Sequence, residues 1–324
     1  MDVSIVIPTK NAGELIDRVL ESIFNQKTTY QYEVICVDSG SKDDTISIIQ
    51  KYDIKLFQIR PDEFGHGKTR NYGASKGTGE FIVFITQDAL PATDTWLQNF
   101  IDAMKMDDQI VGGFGIHYPY PDCNIFDKRD LTIHFQGFGQ DNTIYYMDNP
   151  ERYKIEEGYR HMLAFFSDNN SCLRRSVWEK YPYDDVNFAE DQIWMRKMIE
   201  MGYKKVYCPY APVYHSHNYP IKSYFGRYFD EFRSLYGLHH YLIVPKWWLV
   251  IPRAWYSIIA DYKYLASLTT MKRPEKIKWL WYSIRRNHSK FIAGYWGGRY
   301  CNYKKTTQEW LDKHISQQYK QVRG

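Results

Sequence analysis

The chain has 324 residues, enough for one full enzyme domain and an appendage. With 44% hydrophobic and 25% charged residues it reads as globular, which excludes a disordered or low-complexity chain. Net charge is +4 but uneven: Lys263 to Lys305 holds eleven basic residues and one acid, Glu275, so that stretch is +10 and the remainder −6.

The chain opens M-D-V-S-I-V-I-P, directly on a strand pattern. No charged segment precedes an apolar signal core, so secretion is not expected. Five cysteines without a C-x-x-C exclude a cysteine zinc site or a disulfide framework and point to a reducing compartment. After V-S-I-V-I-P-T a helix is expected from about Glu14 to Asn25, with Leu15, Val19, Leu20 and Ile23 on its apolar side. E-V-I-C-V-D is the second strand, and S-G-S-K-D-D-T turns into a helix capped by Ser or Asp. I-K-L-F-Q-I and E-F-I-V-F-I-T read as the third and fourth strands. Near-continuous apolar strands separated by helices predict a parallel sheet covered on both faces. Such sheets bind ligands beyond their carboxyl strand ends. Pro8-Thr9, Asp38-Ser39 and Gln87-Asp88 all occupy those ends, which predicts one site.

Between the third and fourth strands, G-H-G-K-T-R-N (65–71) is a glycine-flanked basic loop opening a helix, with Lys68 and Arg70 able to cradle a diphosphate or base. It is not G-x-x-x-x-G-K-[ST], which excludes a P-loop. Residues 110–180 are expected to hold one strand near Gly112 to Pro119 and then polar loops. A helix from about Asp191 to Met201 ends at Gly202, and K-V-Y-C-P leads as a strand to His215 and His217.

The chemistry-bearing residues follow from these placements. Asp38 would accept hydrogen bonds from a nucleobase or ribose, and Asp88 is a hard oxygen ligand for a divalent cation on a diphosphate. Glu190-Asp191 opens a helix, where carboxylates are also favoured by the helix dipole alone. Asp191 fits a general base, with a pKa lowered by the helix start until substrate desolvates it. His215 and His217 alternate on an extended segment, so one faces the site; His215 is the metal-ligand candidate and His217 the second choice. His117 and His134 read as structural.

From about Ile221 the chain turns helical, aromatic and basic. Its most apolar stretch, beginning Y-L-I-V, is broken by Pro245, Lys246, Pro252 and Arg253, short of the roughly 20 apolar residues of a spanning helix. Trp-rich helices beside a basic run fit an anionic membrane surface. No helix-turn-helix, RRM or zinc-finger pattern accompanies them, so nucleic acid is not the expected partner.

Taken in order, V-S-I-V-I-P-T-K-N, E-V-I-C-V-D-S-G-S-K-D-D-T, T-R-N-Y-G-A-S-K-G-T-G-E-F-I-V-F-I-T-Q-D-A and A-E-D-Q-I resemble the family 2 glycosyltransferases of the GT-A fold, over about residues 1–220. F-G-H-G-K-T-R-N with T-Q-D-A-L-P is most similar to the bacterial rhamnosyltransferases that build surface polysaccharides from dTDP-L-rhamnose. The resemblance implies an α/β Rossmann-like, mostly parallel sheet with helices on both faces. It implies a nucleotide-sugar half over 1–105 and an acceptor and base half over 106–220, and the aromatic, basic composition beyond them is read as a helical membrane-associating region over 221–324. It also implies that Pro8, Thr9 and Asp38 line the nucleotide pocket, with Lys68, Arg70 and Asn71 near the base and diphosphate. Gln87-Asp88 stands at the D-x-D position, whose first residue here is Thr86; Asp191, beside Glu190, stands at the catalytic base and His215 at the late metal ligand. The implied cofactor is Mg²⁺ or Mn²⁺. The implied acceptor is a lipid-linked glycan at the cytoplasmic face of the membrane, with the C-terminal helices as the surface through which an oligomer would form. Two other functions share this architecture: a sugar-nucleotide nucleotidyltransferase, for which P-T-K-N-A-G is the wrong loop after the first strand, and a non-catalytic nucleotide-sugar or membrane-binding module.

Overall fold

The computed structural model describes residues 1–186 and 189–323. The chain forms two compact units, Met1–Ser216 and His217–Gly324.

In the first unit the elements run β1 (Val3–Thr9), α1 (Glu14–Phe24), β2 (Tyr32–Asp38), α2 (Thr45–Ile49), β3 (Lys55–Gln58), α3 (His66–Ala74), β4 (Phe81–Ile85), β5 (Leu90–Pro91), α4 (Trp96–Met104) and β6 (Ile110–Tyr118). There follow α5 (Ile125–Gln136), β7 (Thr143–Tyr145), α6 (Pro150–Ile155), α7 (Glu157–Ala164), β8 (Asn170–Arg174), α8 (Arg175–Trp178), α9 (Glu190–Glu200) and β9 (Lys204–Tyr214). They build one nine-stranded sheet in the order β3-β2-β1-β4-β8-β6-β9-β5, with β7 against β9.

The first four strands are parallel, as their apolar runs predict. Beyond β4 the sheet is mixed: β8 runs antiparallel to both β4 and β6, and β6 and β9 are parallel to each other. The sheet is therefore less parallel than expected. The change comes at β8, a five-residue strand whose N-S-C-L-R pattern gives little signal.

Strand pleating divides the core in two. Val3, Ile5 and Ile7 of β1 and Phe81, Val83 and Ile85 of β4 face α1 and α4, packing on Ile16, Val19, Leu20, Ile23, Trp96 and Phe100. Val6, Ile82 and Phe84 face the other way, onto a cluster that includes Ala74 of α3, Leu163 of α7 and Met195 and Met198 of α9. Both faces are covered, so β4 is buried at every position.

The strand order reverses at β1, which has β2 on one side and β4 on the other. Because β8 is antiparallel to β4, its first residue, Asn170, lies opposite Ile85 at the carboxyl end of β4. By the same reasoning β6 and β9 end on that rim, with Tyr118 opposite Tyr214. One edge of the sheet thus collects the ends of β1, β2, β4, β6 and β9 and the start of β8.

Four helices, α5 to α8, and the strands β7 and β8 occupy the part of 110–180 expected to be loop. Their apolar residues, such as Phe126, Phe135, Tyr159 and Leu163, are few and aromatic, and the 3.6-residue stripe is blurred. Helix α9 ends as expected, with Gly202 in the left-handed region at φ 88°.

The second unit is helical: α10 (Ile221–His239), α11 (Val250–Ser267), α12 (Arg273–Gly297), α13 (Lys305–His314) and α14 (Gln317–Arg323). Its core is centred on Phe229, Phe232, Val244, Ala254 and Phe291. Helices α11 and α12 are pinned by buried Asp261, which accepts hydrogen bonds from Ser283 Oγ (2.6 Å) and Asn287 Nδ2 (2.9 Å). No helix among the described residues is long and apolar enough to cross a membrane.

Candidate active site

At the end of β1, Thr9 is buried and Pro8 half-buried. Thr9 Oγ1 donates to Asp38 Oδ1 at 3.2 Å, tying β1 to β2. Asp38 is wholly buried, and its carboxylate also accepts from the amides of Gly40 (3.0 Å) and Ser41 (2.9 Å) and from Ser41 Oγ. The expectation that Asp38 meets a nucleobase or ribose is therefore corrected. Its oxygens are engaged within the chain, and it shapes the turn that follows β2.

Gln87 receives a similar correction. Its Oε1 accepts from the Lys10 amide (2.8 Å) and its Nε2 donates to the Lys10 carbonyl (3.1 Å). The side chain latches the exit of β4 to the exit of β1 rather than presenting an amide to a donor.

The basic motif also differs from expectation. Residues 66–71 lie within α3 rather than forming a loop, and Lys68 alone of its two cations is exposed. Arg70 is 5% exposed, with Nη1 2.5 Å from Glu190 Oε1 and Nε 3.3 Å from Asp168 Oδ2. It is a counter-ion inside the protein rather than a diphosphate ligand. Asn71 is half-buried with its amide engaged: Nδ2 donates to the Tyr183 carbonyl, and Oδ1 accepts from the Tyr183 amide and Trp178 Nε1. The packing requires Gly67, because a Cβ there would sit 2.8 Å from the Asp184 carbonyl oxygen and 3.3 Å from Glu190 Cβ.

These contacts enclose a cluster that the sequence reading did not contain, centred on Asp168. Its Oδ1 accepts from Ser171 Oγ (2.6 Å) and Tyr183 OH (2.9 Å), and its backbone N–H donates to Asp191 Oδ2 (3.2 Å). Asp191 Oδ1 accepts from the Gln192 amide at 2.8 Å. Helix α9 begins beside Ala189, a non-glycine residue in the left-handed region (φ 59°, ψ 32°), which aims the acidic pair at this cluster.

Three carboxyls thus surround one guanidinium. Asp191 is held well above the usual carboxylate range by burial first, then by the charges of Glu190 and Asp168, with Arg70 pulling the other way. The expected lowering by the helix start is overridden, since two like charges and desolvation outweigh a partial dipole. Asp168 and Glu190 are raised too, chiefly by burial, but each has Arg70 beside it. Of the acidic pair, Glu190 is buried and paired with Arg70, and Asp191 is half-buried.

At the next strand ends, Asp88 and His215 come together, with His215 Nε2 3.6 Å from Asp88 Oδ1. The segment after β6 holds them in place: the His215 amide donates to the Tyr118 carbonyl, the Tyr120 amide to Ser216 Oγ, and Tyr120 OH to the Asp88 carbonyl. His217, two residues along the chain, also offers a ring nitrogen; one ligand atom each from Asp88, His215 and His217 lies within 4.8 Å of the others. The expectation that the two imidazoles face opposite ways fails because β9 stops at Tyr214, and residues 215–220 are not a strand. Two imidazoles and a carboxylate fit Mn²⁺ better than Mg²⁺, which prefers an all-oxygen shell. His117 packs edge-on to His215, ring centroids 5.5 Å apart, and is buried.

The two clusters are joined through a single short segment. Asp168 binds Asp191, and the carbonyl of the next residue, Asn169, accepts from the Thr86 amide at 3.4 Å, two residues before Asp88.

Comparison with known proteins decides what this rim belongs to. The sequence model of Glycosyl transferase family 2 matches residues 4–181. O-antigen chain rhamnosyltransferase RfbN of Salmonella typhimurium is 35% identical over 235 residues, 71% of each chain.

The chain belongs to glycosyl transferase family 2.

This glycosyltransferase is also 33% identical to O-antigen chain rhamnosyltransferase WbaN of Salmonella anatum, over 70% of each chain. Among solved structures, Staphylococcus aureus TarS (residues 1–349) in complex with UDP aligns over 91% of each chain, with TM-score 0.53 at 15% identity. Glucosyl-3-phosphoglycerate synthase of Mycobacterium tuberculosis, solved with Mn²⁺ and UDP, aligns over 74% of the transferase and 80% of its own chain, with TM-score 0.51 at 14% identity. At these identities the likeness is one of fold, and the fold is GT-A.

Proposed function

We propose that this transferase moves L-rhamnose from dTDP-L-rhamnose to a hydroxyl of a lipid-linked glycan, with inversion, during surface polysaccharide synthesis at the inner face of the membrane. The observation that carries the transfer chemistry is the 168–169 segment, which binds Asp191 on one side and the Asp88 turn on the other. Two hydrogen bonds thus link the proposed base to the strand end that bears Asp88, which supports a shared site. The donor assignment is supported by the two relatives named as rhamnosyltransferases, and use of a nucleotide sugar by the UDP named in the TarS structure.

In this reading Asp191 accepts the proton of the attacking hydroxyl as the new glycosidic bond forms at the anomeric carbon and the bond to the diphosphate breaks. A carboxyl with a raised pKa is the stronger base when ionised, and Arg70, Asp168 and Glu190 set that basicity. Half-buried Pro8 and exposed Lys68 are the residues of the nucleotide half that would meet the donor, while buried Thr9 holds Asp38. Asp38, Gln87 and Asn71 hold the pocket's walls. Asp88, His215 and His217 would hold the divalent ion, which supplies Lewis-acid neutralisation of the departing diphosphate. Residues 1–105 serve the donor, 106–220 the acceptor, and 221–324 the membrane.

The test is a thermal-shift and nucleotide-release screen of dTDP-L-rhamnose against UDP- and GDP-sugars, with Mn²⁺ or Mg²⁺. The reading expects stabilisation by dTDP-L-rhamnose of about 3 kcal/mol at a hundredfold excess over Kd, larger with Mn²⁺ than with Mg²⁺. Preference for a UDP-sugar removes the rhamnose assignment, and indifference to both metals removes the Asp88–His215–His217 site.

A further inference from the structure

Helix α11 is apolar on its outward side as well as on its buried one, which is unusual for a surface helix in water. It buries Ala254, Ile258, Asp261 and Leu265 against the rest of the second unit. Its outward side is nevertheless apolar: Ile251, Trp255, Ile259 and Tyr262 are all exposed and recur at spacings of four, four and three residues. The short turn leading into it adds Trp247, 67% exposed, and Trp248. A strip of this kind is what monomeric proteins in water avoid.

Charge frames the strip without entering it. Between Lys246 and Lys290 the sequence has ten basic residues and two acids, Asp261 and Glu275. Asp261 is buried and bonded to α12, so among the described residues the exposed acid of this stretch is Glu275 alone. Lys246 and Lys263 flank the strip, exposed, and Lys246 Nζ lies 5.2 Å from the Trp248 ring. Helix α12 repeats the pattern with exposed Ile277, Lys278, Trp281 and Arg285 spaced along one face.

We propose that the outer strip of α11, from Trp247 to Tyr262, lies in the headgroup layer of an anionic bilayer. Trp and Ile enter the acyl boundary while Lys246, Lys263, Lys278 and Arg285 meet the lipid phosphates. Aliphatic residues between the tryptophans suit lipid rather than bases, which stack on aromatics and need cations at the centre of the surface. The uniform positive charge disfavours a second copy of the same face. This inference rests on the reading that the acceptor is lipid-linked, and it names the surface that would bring the enzyme to it.

Full-length protein is sedimented with vesicles of phosphatidylcholine alone and of phosphatidylcholine with phosphatidylglycerol. The proposal expects binding at least about tenfold tighter to the anionic vesicles, with blue-shifted tryptophan emission. The variant Trp255→Ser with Ile259→Ser binds both vesicles about tenfold more weakly, and Lys246→Glu with Lys263→Glu loses the anionic preference. Both keep the circular-dichroism spectrum and nucleotide release with a soluble acceptor. Should the first variant misfold, the charge variant carries the test. Unchanged binding by a folded variant overturns the proposal, as does concentration-dependent self-association through the strip or displacement of vesicles by a single-stranded oligonucleotide. If vesicle binding follows the expected pattern while no donor is turned over, the transferase reading fails and the membrane surface stands.

Discussion

Asp168 helps to tune Asp191, the proposed base. It touches Asp191 only through its backbone N–H, but its charge is one of the causes that raise the Asp191 pKa. A general base works only when ionised, so activity falls as pH drops through the Asp191 pKa. That limb lies well above the ordinary aspartate value of about 3.9. The groups around Asp191 are Glu190, Asp168, Arg70 and Tyr183. Replacing Asp168 by Asn removes one negative charge while keeping oxygen and shape, which lowers the Asp191 pKa. The expected result is a kcat/KM profile whose acid limb moves to lower pH, with kcat reduced by about tenfold because the weaker base is a poorer proton acceptor. A drop in kcat with the limb unmoved would make Asp168 a packing residue only. This residue was not legible in the sequence: it lies in a loop, 23 positions from Asp191 and 98 from Arg70, and its partners exist only after folding. Its one local mark is the polar S-D-N-N run that leads into β8. Arg70 was misread for a related reason, since a basic residue beside glycines resembles an anion cradle until tertiary pairing supplies Glu190.

Among the elements, the N-terminus of α9 carries the strain that positions the acidic pair. A left-handed alanine costs roughly 1 kcal/mol relative to glycine. Ala189→Gly is therefore expected to stabilise the protein by about that amount in denaturant unfolding, although glycine's looser unfolded chain takes back part of it. A destabilised variant would show that α9 does not begin in this conformation. The strands β1, β2 and β4 were legible because a doubly covered sheet demands unbroken apolar runs, and α1 and α9 because each has a clear stripe or cap. Helices α5 to α7 and strand β8 were not. Their burial comes from scattered aromatics such as Phe126, Phe135 and Tyr159, whose neighbours are distant in the chain. His217 was underrated because alternation was applied past the end of β9.

For the molecule as a whole, sheet topology explains why distant stretches of chain meet at one rim: β1, β2, β3, β4, β6 and β9 all end there, and antiparallel β8 starts there. The second unit, with its own core, bears the aromatic and basic surface. Asp191 as the proton acceptor is the point on which the account turns. The direct measurement compares Asp191→Asn with the unmodified enzyme for dTDP binding and for sugar transfer from dTDP-L-rhamnose to lipid-linked acceptor. Unchanged nucleotide affinity with turnover lowered by about a thousandfold is the expected result. Turnover within a few-fold of the unmodified enzyme, with binding intact, would contradict it.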